Sequence, residues 1–358
     1  MTMTTPDFTM PARKPDGKPG HVTIRNRWFA VRLNYRVLGM CAITIGVLLV
    51  LTLWAMTLGS YPIAFVDVAK SVFGQGVEEE NFIVQTLRLP RVFSALLVGA
   101  VLAMSGAIFQ GLVRNALVSP DIIGINTGAS LVAVIWIAYG LTATYLPLAA
   151  FLGAIITAAA IYVISWKGGI VPGRLILVGI GIGAFLSAGT TWVTLQFPIE
   201  QIRPAIVWTM GSVYGSDWGD VKLLAVCLAV LGPVSVMLMW YLRALQLGDD
   251  IGRGLGMHLE LTRLALIVVG CGLAAIAVSI AGPIGFVALM IPHVARMLAG
   301  PLSGSVMLFT GVLGATFLLF ADVVSQHYLP VTLPVGIVTA AVGAPYFLYL
   351  LYRSNARV

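Results

Sequence analysis

Residues 92–113 read VFSALLVGAVLAMSGAIFQGLV, a run without a single Asp, Glu, Lys or Arg. An α-helix rises about 1.5 Å per residue, so a run of this length can cross a hydrocarbon core about 30 Å thick. The apolar residues are continuous and do not alternate with polar ones, as they would in a strand of a membrane β-barrel. The run therefore predicts a transmembrane helix.

Similar charge-free runs, each at least 20 residues long, occur at 37–66, 122–166, 175–199, 223–242, 264–295, 297–321 and 323–352. The run 122–166 must hold two helices, because it has 45 residues and is broken near Gly140 and Pro147. The run 264–295 is interrupted at Gly282-Pro283 and could be one long helix, or one helix plus the start of another. The sequence thus predicts nine or ten spans.

The composition agrees with a chain that lies mostly in lipid. Of 358 residues, 59% are hydrophobic and 10% are charged, and the mean hydropathy is +0.97. A soluble domain carries about 25% charged residues. These values argue against a soluble enzyme, a disordered tail and a nucleic-acid-binding protein. They predict an all-α polytopic membrane protein, surrounded by membrane lipid.

The distribution of basic residues predicts the orientation. Residues 1–36 and 353–358 are basic and read as cytoplasmic tails on either side of a membrane domain at 37–352. Two cytoplasmic termini require an even number of spans, hence ten. This topology places 16 Lys and Arg residues inside and 5 outside, with Asp322 among the acids outside. We expect the basic tail 1–36 to be loose, and its charge suits the anionic inner face of a membrane.

Several kinds of chemistry lack their motifs. The sequence contains no GxxxxGK[ST] phosphate loop, so the chain cannot hydrolyse ATP by that route. It shows no CxxC or HExxH spacing and no catalytic dyad. We therefore expect this chain to be non-catalytic and to hold neither a metal ion nor a cofactor. The glycines of 179–183 (GIGIG) favour close helix packing over dinucleotide binding. The charge-free runs hold no midplane acid, which argues against an ion-coupled carrier and for energy from a partner.

Six blocks of sequence resemble the FecCD-type permeases, the membrane subunits of ABC importers for iron–siderophores and vitamin B12. The longest, 87–130, reads LRLPRVFSALLVGAVLAMSGAIFQGLVRNALVSPDIIGINTGAS and is similar to the second span and following loop of that family. The others are RLILVGIGIG (174–183), WTMGSVYGSDW (208–218), LGDDIGRGLGMHLELTR (247–263), AGPIGFVALMIPHVAR (281–296) and ADVVSQHYLPVTLPVGIVTAAVGAPYFL (321–348). SGAIFQ, SPDIIGINTGA and Gln326 most resemble the ferric-enterobactin (catecholate) type.

The resemblance implies a type II ABC importer permease fold of ten helices in a bacterial inner membrane. The expected partners are a second permease subunit, related but different, two cytoplasmic ATPase subunits that bind the ATP, and a periplasmic substrate-binding protein. The expected substrate is a ferric siderophore, with vitamin B12 or haem as alternatives. An ion-coupled carrier and a homodimer remain open.

Two arginines, Arg88 and Arg91, flank Pro90 at the outer mouth of the second span. Cations three residues apart suit acids on a docking surface, although the spacing alone favours anchoring to lipid phosphate, because arginines at the ends of spans usually anchor. The resemblance implies docking of the binding protein. Gln326 stands where family members often have a third arginine, a departure that weakens docking on this half of the transporter and that the other permease could compensate.

The loop 243–263 is long and polar, which on its own indicates a solvated connection. The resemblance instead implies short helices seated in a groove of the ATPase, and the candidate coupling residues are Gly248, Asp249, Asp250, Gly254, Leu255 and Gly256. The resemblance also implies a cytoplasmic gate at Asn115 and Leu117. Its second half would lie at Pro172 and Gly173, where the family often has small hydroxyl residues.

Uncharged polar side chains within or near the spans are candidates for a translocation path: Gln110, Asn126, Thr127, Thr191 and Gln196. In lipid each needs a hydrogen-bond partner, which either a neighbouring helix or a water-filled path would supply. A path without charges would hold a bulky anionic chelate weakly enough to release it. The outer stretch 59–86 predicts a short amphipathic helix plus a loop at the membrane interface.

Overall fold

The computed structural model describes residues 21–25 and 30–355, which form fifteen α-helices and one β-hairpin. The strands are β1 His21–Arg25 and β2 Ala30–Asn34. The helices are α1 Tyr35–Thr57, α2 Phe65–Val72, α3 Glu78–Phe82, α4 Leu89–Val113, α5 Pro120–Ile123, α6 Ile125–Ala138, α7 Leu146–Ser165, α8 Pro172–Gln196, α9 Ile199–Thr209, α10 Trp218–Gln246, α11 Asp249–Gly254, α12 Leu259–Ala281, α13 Val287–Ala299, α14 Gly304–His327 and α15 Val335–Asn355. Ile83–Arg88 is π-helical, and Ala143–Tyr145 is a 3₁₀ turn.

In the described part of the chain, eight helices are long and apolar enough to cross a membrane. They are α1, α4 together with α3 and the π-helical turn before it, α7, α8, α10, α12, α14 and α15. Two further apolar helices, α6 and α13, are shorter, at 14 and 13 residues. The predicted division of 122–166 is confirmed, since α6 and α7 occupy it. The run 264–295 holds most of α12 and α13, because Gly282 adopts φ 66° and ends α12.

The chain runs back and forth between two ends of the bundle. The guanidinium of Arg88 donates to the carbonyl of Met56, so the end of α1 lies beside the start of α4. The rings of Trp54 and Tyr328 lie 5.7 Å apart, which places the end of α14 there too. We name this the arginine end. The opposite end, where α4 stops at Arg114 and α11 lies, is the loop end. Helix α1 therefore begins, and α15 finishes, at the loop end.

Helix α4 is the centre of the bundle. Of its 25 residues, 20 are buried, and it packs against α10, α12, α13 and α14. A helix that is apolar on every side is expected to be surrounded by other elements. The sequence 92–113 thus forms the core around which the other helices are arranged.

Glycines on α4 allow its backbone to approach neighbouring helices directly. A Cβ on Gly99 would lie 2.3 Å from the carbonyl oxygen of Gly314, and one on Gly106 would lie 1.8 Å from that of Ala288. On α8, a Cβ on Gly179 would lie 2.3 Å from the carbonyl oxygen of Ile123. The interpretation of 179–183 as a helix-packing motif is confirmed by this contact.

The structure differs from the sequence prediction in the tails. Residues 1–36 were expected to be a loose tail, but β1 and β2 form an antiparallel hairpin within it; residues 1–20 and 26–29 lie outside the described residues. The register pairs Val22 with Leu33 and Ile24 with Val31, an apolar alternation typical of strands. At the other terminus, α15 continues to Asn355, past the predicted boundary at 352, and residues 356–358 lie outside the described residues.

The stretch 59–86 does contain a short amphipathic helix, α2. It buries Val68 and Ser71 and exposes Phe65 and Val66. The helix α3 and the π-helical turn follow it and lead directly into α4.

Substitution of Gly106 tests the close approach of α4 and α13. Overpacking a core costs about 1–3 kcal/mol, and we expect Gly106→Ala to reach the upper end because the added Cβ meets backbone rather than a mobile side chain. The measurement is the thermal unfolding midpoint of the purified protein in detergent. Gly46→Ala on α1, where a Cβ meets nothing within 4 Å, is the matched control and should leave the midpoint unchanged or raise it. Equal midpoints for both variants would contradict the packing.

Candidate functional site

At the arginine end, the three predicted docking residues share one cavity. It has a volume of about 940 Å³, and Arg88, Arg91 and Gln326 all line it, together with Tyr214 and His327. The structure thus brings together side chains that are up to 238 positions apart in the chain.

Arg91 is held by an acid of the same chain. Its Nε and Nη2 donate to the two carboxylate oxygens of Asp322 at 2.9 and 2.8 Å, and its Nη1 donates to Oε1 of Gln326. The guanidinium carbon also lies 5.4 Å from the ring centre of Tyr214. The side chains of Arg91 and Asp322 are only 16% and 7% exposed, so this ion pair connects α4 to α14 inside the protein.

Asp322 was assigned to the outer side by the count of charges, as an acid beside an outer loop. The structure places it at the arginine end, buried within α14 as the partner of Arg91. The placement of Gln326 also has a local reason. Its amide oxygen accepts a hydrogen bond from Arg91, whereas an arginine at 326 would set a second cation against the first.

Arg88 binds backbone carbonyls. It donates to the carbonyls of Met56 and Tyr61, each at 2.5 Å, and so caps the last turn of α1. Gly59 allows this approach, because it adopts φ 147° and a Cβ there would lie 2.7 Å from Nη2 of Arg88. Both arginines are therefore engaged within the chain, and a docking protein must share or replace these bonds.

At the loop end, the segment 243–263 contains one short helix, α11, which begins after Gly248 at φ 120°. Its two neighbouring acids differ. Asp249 receives two hydrogen bonds of 2.8 Å from Nη2 of Arg263, whereas Asp250 is fully exposed and only approaches Arg253 at 3.6 Å. The interpretation of this loop as a helix-bearing segment agrees with the structure. Asp249 anchors α11 to α12.

This segment exposes apolar side chains beside the charged Asp250 and Arg253. Leu247, Ile251 and Leu255 are spaced four residues apart and are 66%, 50% and 55% exposed. Ile251 and Leu255 share one face of α11 and its C-terminal end, whereas Leu247 ends α10 before the break at Gly248. Only Leu255 was among the predicted coupling residues. The i, i+4 apolar spacing within LGDDIGRGL is the sequence signal that identifies the other two.

The predicted gate residues lie around the end of α4. Arg114 ends that helix in the left-handed conformation at φ 58° and donates to the carbonyl of Leu245. Asn115 then accepts a hydrogen bond of 2.9 Å from the backbone of Leu117, which closes a turn. Pro172, the first residue of α8, lines a cavity of about 250 Å³ together with Arg114.

The second gate position, Gly173, is exposed, and a Cβ there would meet nothing within 4 Å. The end of α4 and the start of α8 line the same cavity through Arg114 and Pro172, and Gly173 does not line it.

The predicted path residues fall into two groups. Gln110 and Asn126 are buried and bonded inside the subunit: Gln110 donates to the carbonyl of Leu289 at 2.8 Å, and Asn126 donates to Asp121. Thr127 donates to the carbonyl of Gly124 at 2.7 Å. For these three the geometry favours bonding between or within helices.

The other two path residues, Thr191 and Gln196, lie on the exposed face of α8. Only 17% of the most apolar window of α8 is buried, compared with 83% for the window that contains α4. The exposed face carries small residues, including Ala184, Ser187 and Ala188. Thr191 donates to the carbonyl of Ser187 at 3.0 Å, so its hydroxyl is bonded within its own helix.

Asp121 lies between α4 and α6, outside the long spans. Burial raises the pKa of its carboxyl to about 7, and the hydrogen bond from Asn126 opposes this rise. This carboxyl lies at the loop end, beside the helices that carry the predicted gate residues.

Comparison with known proteins was made on the whole chain. The model of the FecCD transport family matches residues 47–353. The chain belongs to this family. It is 36% identical over 344 residues to the achromobactin transport system permease protein of Dickeya dadantii, which covers 95% of this chain and 99% of the relative. It is 35% identical over 329 residues to the ferric enterobactin transport system permease protein of Escherichia coli. That match covers 91% of this chain and 99% of the relative.

A solved structure shows the same architecture. It is described as an inward-facing conformation of a metal-chelate type ABC transporter, with a TM-score of 0.80 and 29% identity over 88% of this chain and 99% of that one. The FecCD chain therefore has the fold of a type II ABC importer permease and is a membrane subunit of such an importer.

The pair of Arg91 and Asp322 makes a stability prediction. Removing one partner of a buried ion pair costs about 3–5 kcal/mol, because the other charge stays behind unpaired. We expect Asp322→Asn to lower the unfolding midpoint strongly and the double variant Arg91→Met with Asp322→Leu to restore most of it. Asp67→Asn, which breaks the exposed pair with Lys70, is the control and should cost about 0–1 kcal/mol. An Asp322→Asn midpoint as high as that of the control would show that the pair is not structural.

Proposed function

We propose that this FecCD permease carries a ferric siderophore of the catecholate type from the periplasm to the cytoplasm, driven by a separate ATPase. The observation that carries the proposal is the combination of a bundle whose charges lie near its two ends and a short helix at the loop end, α11, with exposed apolar side chains. The bundle forms a conduit, and the segment presents a surface for a motor subunit. Neither feature requires chemistry in this chain, which acts as a non-catalytic subunit.

We propose ten transmembrane spans with both termini in the cytoplasm of a bacterial inner membrane. The eight long helices, together with α6 and α13, run alternately between the arginine end and the loop end. An even number of crossings agrees with α1 beginning, and α15 finishing, at the loop end. The excess of basic residues then places the loop end in the cytoplasm.

The ATPase is proposed to bind α11 and its flanks. Ile251 and Leu255 on α11, with Leu247 just before it, form an exposed apolar ridge, which suits a hydrophobic groove on a partner. Asp249 fixes the base of this ridge to α12 through Arg263, so the ridge is held in one orientation. A force applied by the ATPase would therefore reach the membrane helices.

The periplasmic binding protein is proposed to dock at the arginine end. The cavity of about 940 Å³ offers Arg88 and Arg91 to carboxylates of that protein. The second permease subunit is proposed to face α8, so that the substrate passes between the two subunits. This agrees with the low burial of α8 in the isolated chain.

The surface of α8 supports the proposed substrate class. It presents small and hydroxyl-bearing side chains such as Ser187 and Thr191 among large apolar ones such as Phe185 and Trp192, without a charge between Arg174 and Glu200. A ferric siderophore is bulky and often anionic, and a charged lining would retain it. Weak contacts spread along the helix would let it move once the gates open.

Growth on single iron chelates tests the substrate. A strain that lacks this permease should grow normally when haem is the iron source, and also when growth requires uptake of vitamin B12. It should fail when the iron source is a catecholate chelate such as ferric enterobactin, and the cloned gene should restore growth. The panel should include achromobactin, because relatives named for these two siderophores are similar to this chain at almost the same identity. A failure limited to vitamin B12 or haem would overturn the siderophore assignment.

Association with the ATPase tests the apolar ridge. We expect Ile251→Asp to reduce co-purification of the ATPase with the tagged permease by about tenfold or more, because a charge would enter an apolar contact. Phe73→Asp, at the arginine end and 80% exposed, is the matched control and should leave co-purification unchanged. Equal recovery of the ATPase by both variants would remove the ridge from the interface.

A further inference from the structure

A chain of charged contacts connects α11 to the segment that precedes α8. Asp249, the first residue of α11, accepts two hydrogen bonds of 2.8 Å from Nη2 of Arg263 on α12. Nη1 of the same guanidinium donates to Oε1 of Glu260 at 2.7 Å. The other oxygen of Glu260 accepts a hydrogen bond of 3.1 Å from the backbone N–H of Ile170. One arginine and one glutamate thus join three separate segments.

The segment 166–171 is positioned to act on α8. It connects α7 to α8, and Pro172 begins α8 directly after it. Its backbone passes close to the glutamate, since a Cβ on Gly169 would lie 3.1 Å from Oε1 of Glu260. On α8 itself, Nη1 of Arg174 donates to the carbonyl of Ser165 at 3.1 Å, which ties the start of α8 to the end of α7. A shift of this short segment therefore moves the start of α8.

The contacts are stronger than those of an ordinary surface pair. Arg263 is 14% exposed and uses both ends of its planar guanidinium, a geometry that fixes its partners in place. The neighbouring pair of Asp250 and Arg253 is 3.6 Å apart and exposed to solvent, where screening weakens it. Of the two adjacent acids, only Asp249 is therefore suited to transmit a displacement.

There is also space for movement. The cavity of about 250 Å³ lies between Asp249, Arg263 and Pro172. Tightly packed interfaces resist small displacements, whereas an unfilled space lets one element shift against another. On the far side of this cavity, Gln246 donates to the carbonyl of Gly111 at 3.0 Å, so the end of α10 is fixed to α4. Pro172 at the start of α8 borders the same cavity, so this end of α8 has room to follow α11.

We propose that Arg263 and Glu260 are positioning residues that transmit a displacement of α11 to the start of α8. Movement imposed on α11 pulls Asp249, and the guanidinium and carboxylate carry the shift to the backbone at Ile170. The inner end of the exposed α8 face then changes its position. The inference rests on the proposed function in one respect, since the ATPase is what moves α11, but the connection belongs to this chain alone.

A distance measurement on the full-length permease in liposomes tests the connection without any partner. Spin labels are placed at Arg253 and Lys167, both at exposed positions, in a background with alanine at Cys41, Cys227 and Cys271. We expect a narrow distribution of label distances, and Glu260→Gln should widen it by about twofold because the carboxylate no longer holds both partners. Arg263→Lys keeps the charge but loses the planar fork, and it should widen the distribution as well.

Asp67→Asn is the matched control for Glu260→Gln. It also removes one carboxylate from a pair spaced three residues apart, but at the arginine end, and it should leave the distribution narrow. An unchanged width in both Glu260→Gln and Arg263→Lys would overturn the proposal.

Transport by the assembled complex tests the consequence. In proteoliposomes that contain both permeases, the ATPase and the binding protein, Glu260→Gln should lower the chelate taken up per ATP hydrolysed by about tenfold, with ATP hydrolysis within twofold of the parent. Asp67→Asn should leave this ratio unchanged. An unchanged ratio in Glu260→Gln, or an equal loss of uptake and hydrolysis, would overturn the proposal. If the parent complex takes up no chelate while the label distances behave as expected, the proposed function fails and the connection stands.

Discussion

The hydrocarbon interior of a membrane offers no hydrogen-bond partner, and this constraint shapes the whole chain. Most polar groups that enter the bundle are therefore bonded inside it, and the buried hydroxyl of Ser94 on α4 is an exception. On α4, Ser105 donates to the carbonyl of Gly270 at 2.7 Å, and Gln110 both donates to Leu289 and accepts from Arg296. These bonds join α4 to α12 and α13 at the depth where the glycines of α4 permit backbone contact. The same residues that satisfy the polar groups thereby hold the core together.

Charges are confined to the two ends of the bundle, and the ends use them differently. At the arginine end, Arg91 and Asp322 form a buried pair between two core helices, α4 and α14. At the loop end, Arg263 joins a short helix and a connecting segment through partners that are 41% exposed. A buried pair is costly to open, whereas a partly exposed one can rearrange. The arginine end therefore acts as the fixed end of the bundle, and the loop end is where movement can begin.

Much of the architecture can be predicted from the positions of charges alone. The charge-free runs locate the long helices, and the breaks near Gly140 and at Gly282 explain why two runs each yield two helices. The partner of Arg91 could not be predicted, because Asp322 is 231 positions away and its assignment to the outer side depended only on its flanking runs. The hairpin of β1 and β2 was missed because a basic tail suggests disorder more strongly than ten residues of alternation suggest strands.

Amino-acid composition also does not predict which of α4 and α8 is buried. Both are apolar runs with glycines, yet 20 of the 25 residues of α4 are buried and only four of the 25 residues of α8 are. The difference comes from the surroundings, since a helix that faces lipid and a second subunit needs no more polarity than one in a core.

The hydroxyl groups of α8 show how such a surface can serve as a path. Thr190 donates to the carbonyl of Leu186 at 3.0 Å, Thr191 to that of Ser187 at 3.0 Å, and Thr194 to that of Thr190 at 2.8 Å. A hydroxyl bonded to its own helix has its donor satisfied whether the surface is dry or wet. Its oxygen can still accept a weak hydrogen bond. These three hydroxyls keep their donor bonds whether or not a solute lies beside them, which suits the weak contacts of the proposed path.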